Sequence, residues 1–118
     1  MNRFTGVGKL PRAAVLNGSE NKVLKFTLAT CYGHNTKTHK DLLAYVPCVA
    51  FHPSDELKRA LTEHWKDTVI EVEGHVSTSK FESKGGTKYS TEVVVDRNGI
   101  RPVTIAEALP FGLTQEKP

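Results

Sequence analysis

The sequence predicts an all-β domain, a closed five-stranded Greek-key barrel with one helix between the third and fourth strands and a long hairpin formed by the last two. Three observations support this. Short β-rich runs recur between turn signals. One segment near residues 54–65 keeps helical spacing. Two β-rich runs flank Gly85-Gly86, as in a hairpin. A chain of 118 residues suits one domain of this kind.

The first strand is predicted over residues 2–10, and its two glycines mark a bulge, a sharp bend or a close backbone approach. Pro11 interrupts this run, which residues 12–16 can resume. Residues 17–19 read Asn-Gly-Ser, a strong turn signal. We therefore expect an interrupted first strand that ends in a turn.

The second strand is predicted over residues 23–30, which alternate between two faces. Leu24, Phe26 and Leu28 share one face and are expected in the core. Residues 32–41 are polar and without period, so we expect an exposed loop. Loops of about ten residues in a compact domain are frequently functional.

The third strand is predicted over residues 42–51. Tyr45, Val49 and Phe51 fall on one face of it, which is either a core face or a platform for a ligand. Pro47 cannot donate to a ladder, and it favours a sheet edge or a bulge at that point.

A helix is predicted to start at residues 52–55, with Ser54 as its N-cap and acidic residues in its first turn. One apolar stripe over three turns follows: Leu57, Ala60, Leu61 and Trp65. We interpret Trp65 as a core anchor rather than a ligand contact.

The hairpin starts near residue 69, and Ile70, Val72 and Val76 are expected on its core side. Phe81 continues the other, mostly polar side and lies beside Lys80. An aromatic ring on a solvated, partly basic face suits a flat partner such as a nucleobase. The alternative is that strand twist or a bulge returns Phe81 to the core.

Charge is unevenly distributed along the chain, whose formal net charge is +3. Residues 1–50 carry seven lysines and arginines against two acidic residues, which favours an anionic partner, although plain solubility is an alternative. No apolar run approaches the ~20 residues that span a bilayer, and residues 1–6 do not resemble a signal peptide. We therefore expect a cytoplasmic protein with no membrane partner.

Two cysteines, Cys31 and Cys48, do not form a disulfide framework and suit a reducing compartment as buried thiols. A zinc site made of these residues with His34 and His39 matches known ligand spacings poorly. No paired carboxylates, nucleophile elbow or glycine-rich phosphate loop supports a hydrolase on Cys31, His34 and His39. The sequence thus predicts no catalytic residue, no metal and no cofactor.

The order of elements, three strands, a helix and two strands, matches the five-stranded barrel of the OB type. We expect the OB domain to span residues 1–100 and a short C-terminal segment to span residues 101–118. Apolar residues of that segment could dock on the domain or on a neighbouring subunit: Val103, Ile105, Leu109 and Phe111.

Over about residues 2–95 the sequence resembles the bacterial single-stranded DNA-binding (SSB) proteins, with the motifs in the expected order. The most specific stretches are residues 26–30 (Phe-Thr-Leu-Ala-Thr), 72–74 (Val-Glu-Gly), 78–81 (Thr-Ser-Lys-Phe) and 89–95 (Tyr-Ser-Thr-Glu-Val-Val-Val). The resemblance implies an OB fold, sequence-independent binding of single-stranded DNA during replication, repair or recombination, and assembly as a homo-oligomer, a tetramer or a dimer.

The resemblance also implies which residues bind DNA. Phe81, Tyr45 and Phe51 match aromatics on which the family stacks bases, and His34 falls where the family usually carries another aromatic. Each stacked base would contribute ~1–3 kcal/mol. Phosphate contacts are expected from seven cations: Arg3, Lys9, Lys37, Lys40, Lys80, Lys84 and Lys88.

Several positions depart from the family pattern. Ser77 and Ser79 stand where members often hold basic residues, Pro47 replaces a polar or basic residue, and Asp67 replaces a turn glycine. Weaker or less salt-sensitive binding is therefore expected. The sequence ends at residues 114–118 without the acidic tip that recruits replication and repair enzymes in the family. A primosome-type accessory protein, which has the same OB domain and acts mainly through replication-protein contacts, is the alternative function.

Overall fold

The computed structural model of the protein describes residues 1–103, except for the side chain of Asn21. This range contains six strands and one α-helix: β1 Phe4–Lys9, β2 Val15–Asn17, β3 Val23–Asn35, β4 Lys40–Phe51, α1 Asp55–Thr62, β5 Val69–Ser83 and β6 Gly86–Pro102. The predicted order of elements is confirmed. As expected, the first predicted strand is interrupted around Pro11, which separates β1 from β2.

Five of the strands close into a ring. The sheet order is β1-β5-β6-β4-β3-β2, and β1 also pairs with β3 through Gly8↔Thr30 and Lys9↔Ala29. β2 adds to the far end of β3. All neighbours are antiparallel except β4 and β6, which run parallel at Cys48↔Val93 and Val49↔Val94. This is the predicted OB-type barrel, with α1 between β4 and β5.

The core lies inside the ring, where alternate residues of each strand point inward. Leu24 and Leu28 of β3, Val72 of β5 and Leu61 of α1 are all 0% exposed. Phe26 is also buried, so the predicted inward face of the second strand is confirmed. Burying a side chain of this size stabilises the fold by roughly 1.5–3 kcal/mol.

Helix α1 packs against the barrel core through Leu57 and Leu61. Ser54 is its N-cap as predicted, since its Oγ accepts a hydrogen bond from the Leu57 backbone N–H at 3.1 Å. The carbonyl of Leu61 accepts from the backbone N–H of Ala14 at 2.9 Å, which ties the helix to the segment before β2. Trp65 lies beyond the helix, in a 3-10 turn, and packs partly buried against the core as expected.

The expected loop over residues 32–41 is wrong. β3 runs on to Asn35 and β4 begins at Lys40, which leaves only residues 36–39 for the turn. Beyond the barrel both faces of this two-stranded ribbon meet water, so its side chains show no period of two although its backbone is extended.

Two positions of β5 also differ from expectation. Val76, predicted on the core side, is 41% exposed because it lies where the hairpin leaves the barrel. Val69, which alternation with Ile70 places on the mostly polar side of the strand, is buried in a small outward-facing cluster with Val7, Cys31 and Val103. Alternation along a single strand cannot predict such a second layer of apolar side chains outside the barrel.

Pro47 marks an edge rather than a bulge. The β3–β4 ladder passes through Thr27↔Pro47 in register, whereas β4 meets β6 only from Cys48 onward.

At the C-terminal end of the described residues, Val103 docks on the domain, because its backbone N–H donates to the Val69 carbonyl at 2.9 Å. The remaining predicted docking residues, Ile105, Leu109 and Phe111, and residues 114–118 lie outside the described residues.

Candidate nucleic-acid interface

Two hairpin arms leave the barrel in the same direction. β4 and β6 are parallel where they pair at residues 48–49 and 93–94, so the residues that precede this pairing extend to the same side. We call residues 31–43 the first arm, formed by β3 and β4, and residues 77–92 the second arm, formed by β5 and β6. The pairing thus places both arms at one end of the barrel.

Tyr45 and Phe51 lie on the outer face, the surface of β3 and β4 that points away from the core. Their partners in register are Ala29 and Val23. Pairs of the β3–β4 ladder alternate between the two faces of the sheet, and the intervening pair Phe26↔Cys48 points into the core. Tyr45 is 61% and Phe51 56% exposed. Six residues of strand separate the two rings by about 20 Å, too far for one base to touch both.

His34 reaches the same face through a bulge. The register of β3 against β4 shifts between Cys31 and Gly33, which inserts one extra residue into β3. His34 therefore lies opposite Asp41, with 3.1 Å between its Nδ1 and the Asp41 Oδ1. Without the bulge, alternation would place His34 on the opposite face from Tyr45.

Phe81 is 46% exposed and is not returned to the core. It lies opposite Lys88 in the second arm, and the next pair, Lys80↔Tyr89, projects from the other face of the same ribbon. Tyr89 is 66% exposed. Each face of this arm thus carries one aromatic ring beside one lysine.

Three cations lie on or reach the outer face near the rings. Lys9 is in register with Ala29, itself opposite Tyr45, and Lys25 is opposite Val49, between Tyr45 and Phe51. Arg12 donates a hydrogen bond to the Thr27 hydroxyl at 3.3 Å. Arg12, Lys25 and Tyr89 are not among the DNA-binding residues predicted from the sequence. The alternation of the second strand could have found Lys25, since it places that lysine opposite the core side.

The other predicted cations are dispersed. Lys40 is paired with Asn35 and lies on the face opposite Tyr45, while Lys37 lies in the turn of the first arm. Lys84 lies in the turn of the second arm. All three are exposed. The structure therefore brings together Lys9, Tyr45, Phe51 and His34 on one surface, and Phe81 with Lys88 on the second arm.

The base of the second arm is held by Asn2. Its side-chain Nδ2 donates to the Val76 carbonyl at 2.6 Å, and its Oδ1 accepts from the Val76 backbone N–H at 2.8 Å. The β1–β5 ladder begins only at Phe4↔Gly74, so this side-chain amide continues the ladder beyond the end of β1. Arg3, beside it, lies 3.8 Å from Glu73.

The four residues considered for a zinc site lie in three different places: Cys31 and His34 are on the outer face, Cys48 is in the core, and His39 is in the turn of the first arm. Cys31 points outward with Leu43, whereas Cys48 is 2% exposed in the core. Burial, with a smaller contribution from the charge of Glu92, raises the pKa of the Cys48 thiol to about 12. Within residues 1–103, His, Cys, Asp and Glu side chains form no group of three or more that could hold a metal ion. None of the helices in that range is long and apolar enough to cross a membrane.

Comparison with known proteins identifies the family. The sequence matches the single-strand binding protein family over residues 1–100. Among solved structures, the fold is similar to that of the Plasmodium falciparum SSB in complex with ssDNA, with a TM-score of 0.61, 18% identity and coverage of 87% of this chain and 93% of that chain. A search of curated proteins gives no significant match. The family match covers most of the chain, and the protein therefore belongs to the single-strand binding protein family.

Proposed function

We propose that the protein binds single-stranded DNA without regard to base sequence and without catalysing a reaction. The observation that carries this proposal is the exposure of three aromatic rings at outward-facing positions of a member of this family. These rings, Tyr45, Phe51 and Phe81, are 46–61% exposed. Aromatic residues of this size are usually mostly buried, so three exposed rings, two on the outer face and one on the second arm, favour a partner that covers them.

Stacking would supply the binding energy that is independent of sequence. Every base has a flat π face, and each stacked base contributes ~1–3 kcal/mol. Tyr45 and Phe51 are separated by about 20 Å along β4 and would hold different nucleotides. His34 would extend the platform toward the tip of the first arm, less strongly than a larger ring.

Cations beside the rings would neutralise phosphates. Lys9 and Lys25 lie on the outer face with Tyr45 and Phe51, and Lys88 lies opposite Phe81. Five further predicted cations would act from the arms and their base: Arg3, Lys37, Lys40, Lys80 and Lys84. Each phosphate neutralised releases counterions, so binding should weaken as salt rises.

We also propose a domain organisation, a cellular location and an oligomeric state for the protein. Residues 1–100 would form the DNA-binding OB domain and residues 101–118 a short C-terminal segment. The protein would act in the cytoplasm, associated with the nucleoid, during replication, repair or recombination. It would assemble as a dimer or tetramer and contact replication proteins.

A polarisation titration with labelled oligo-dT and a duplex of equal length, at two salt concentrations, tests the proposal. We expect oligo-dT to bind far more tightly than duplex, with log affinity falling by about 0.7 per phosphate neutralised for each unit of log salt concentration. Equal affinity for both would contradict it. Weak DNA binding together with a stable complex with a helicase or primase would instead favour the primosome-type accessory function.

A further inference from the structure

A cleft of about 700 Å³ opens beside Phe51, at the seam between β4 and β6. The two strands pair only at residues 48–49 and 93–94 and then diverge. The cleft lies in this gap, between the β4–α1 connection and residues 95–100 of β6. Its volume falls within the ~300–1,000 Å³ typical of small-molecule sites.

A large bulge in β6 forms one wall of the cleft. Between the pairs Val72↔Ile100 and Gly74↔Val95, β5 advances by two residues and β6 by five, so three extra residues leave the ladder. The bulge is closely packed at Gly99, where an added Cβ would lie 2.4 Å from the Glu73 carbonyl oxygen. Asn98 within it has a φ of 59°, in the left-handed region. This wall of the cleft is therefore a closely packed part of β6.

The lining of the cleft is apolar at its floor and polar at its rim. Ala50, Leu57 and Ile100 are buried or packed against the core, whereas Arg97 and Asn98 are exposed. Phe51 contributes to the lining from the outer face, at the edge of the cleft. Ligand pockets are typically lined by apolar and aromatic side chains with a few polar groups, and this lining suits a planar ligand with a polar edge.

The charge at the rim favours a neutral ligand over a phosphate. Asp96 and Arg97 both line the cleft, so one formal negative charge and one formal positive charge lie at its rim. A nucleobase presents hydrogen-bond donors and acceptors along its edge, and the side-chain amide of Asn98 can both donate and accept. Such a site would accept any base, which agrees with binding that ignores sequence.

From this arrangement we infer that the cleft is a nucleobase subsite: a base next to the one stacked on Phe51 turns into the cleft between β4 and β6 and is held at its edge by Asn98. The inference rests on the proposed function, since the base must belong to a bound single strand. It adds a site that lies inside the seam of the barrel rather than on its outer face.

Photocrosslinking maps the subsite directly. Oligo-dT that carries 5-iodouracil at single positions is irradiated with the protein, and crosslinked residues are identified by mass spectrometry. We expect crosslinks at residues 96–98 as well as at Phe51. Crosslinks confined to Tyr45, Phe51 and Phe81 in a protein that binds oligo-dT would overturn the subsite and leave the proposed function intact.

A double-mutant cycle provides the energetic test. Asn98→Gly removes the amide and keeps the backbone conformation, because glycine accepts a φ near +60°. We expect it to weaken oligo-dT binding about threefold to tenfold, as for one lost hydrogen bond. The double variant Phe51→Ala, Asn98→Gly should lose less affinity for oligo-dT than the product of the two single losses. The base on Phe51 and the base in the cleft are neighbours in one strand, so losing one contact weakens the other.

The results of these experiments distinguish a failure of the subsite from a failure of the proposed function. Full affinity in Asn98→Gly, or strictly multiplicative effects with Phe51→Ala, would contradict the subsite. A wild-type protein that fails to bind oligo-dT would contradict the proposed function, and the subsite with it. Thermal unfolding of each variant verifies that the changes do not act through stability.

Discussion

Val72 and Val76 lie four residues apart on the same face of β5, yet Val72 is fully buried and Val76 is 41% exposed. The difference lies in what covers them. Val72 faces the interior of a closed ring, whereas Val76 lies where β5 leaves the ring to form the second arm. One pair of strands therefore serves as barrel wall in one half and as a projecting arm in the other.

Because the barrel half is buried and the second arm is exposed, substitutions in the two halves should affect different properties. Substitutions in the barrel half of β5 and β6 should change the free energy of unfolding, because they remove buried contacts. Substitutions in the second arm should leave that free energy nearly unchanged and alter DNA affinity instead.

Gly74→Ala, in the barrel half, should have the largest effect. An added Cβ there would lie 2.2 Å from the Val94 carbonyl oxygen, so the β5–β6 backbone must move. We expect a loss of about 3 kcal/mol or more in the free energy of unfolding, measured by urea denaturation. Gly85→Ala in the turn of the second arm is the matched control, because nothing lies within 4 Å of its added Cβ. Equal losses in the two variants would contradict the division.

Truncation of the two valines compares the halves with identical chemistry. Val72→Ala should lower the free energy of unfolding by about 2–3 kcal/mol, because it opens a cavity in the core. Val76→Ala should cost less than about 1 kcal/mol, since its side chain is already partly in water. The same denaturation experiment measures both, and a Val76 effect as large as that of Val72 would show that the arm is packed in solution.

Removal of the Asn2 amide should loosen the base of the second arm. Asn2→Ala leaves the Val76 N–H and carbonyl without their side-chain partner, so the nearby amides should exchange hydrogen faster, by a factor of about 3–10. Asn2→Asp keeps an acceptor and loses the donor, so its exchange rate should lie between those of the wild type and Asn2→Ala. Unchanged exchange at Val76 in Asn2→Ala would show that the amide does not hold the arm.

The pH dependence of stability should report the buried thiol of Cys48. Its folded pKa, about 12, is raised above the unfolded value near 9, so its contribution to stability is complete below pH 9 and is lost as pH rises toward 12. At pH 10 the loss should be about 1–2 kcal/mol. Cys48→Ala, compared with wild type at pH 7 and pH 10, should remove that part of the alkaline decline. An identical decline in both proteins would contradict it.

The barrel could be predicted from the sequence because a core leaves a period of two. Leu24, Phe26 and Leu28 alternate with polar residues, and the Ser54 cap and the Gly85 turn have local signals. The arms could not be predicted as well. Residues 32–35 and 40–41 are extended without a pattern of two, because both faces of the ribbon are solvated.

The candidate interface was only partly accessible to the same reasoning. The pairing of Tyr45 with Phe51 on one face followed from their spacing, and Phe81 was assigned to a platform through the family resemblance. His34 joins that face only because of a one-residue bulge, and Arg12 reaches it from another segment of the chain. Neither the bulge nor this long-range contact has a local sequence signal.

The most direct test of the account measures oligo-dT affinity and urea stability together for Phe81→Ala, with Phe81→Leu as a control that keeps an apolar side chain without a flat ring. The account predicts a loss of about 1–3 kcal/mol in binding for Phe81→Ala, most of that loss for Phe81→Leu, and unfolding within about 0.5 kcal/mol of wild type for both. Unchanged affinity in Phe81→Ala, or a loss of stability as large as that of Val72→Ala, would contradict the assignment of the second arm to DNA binding.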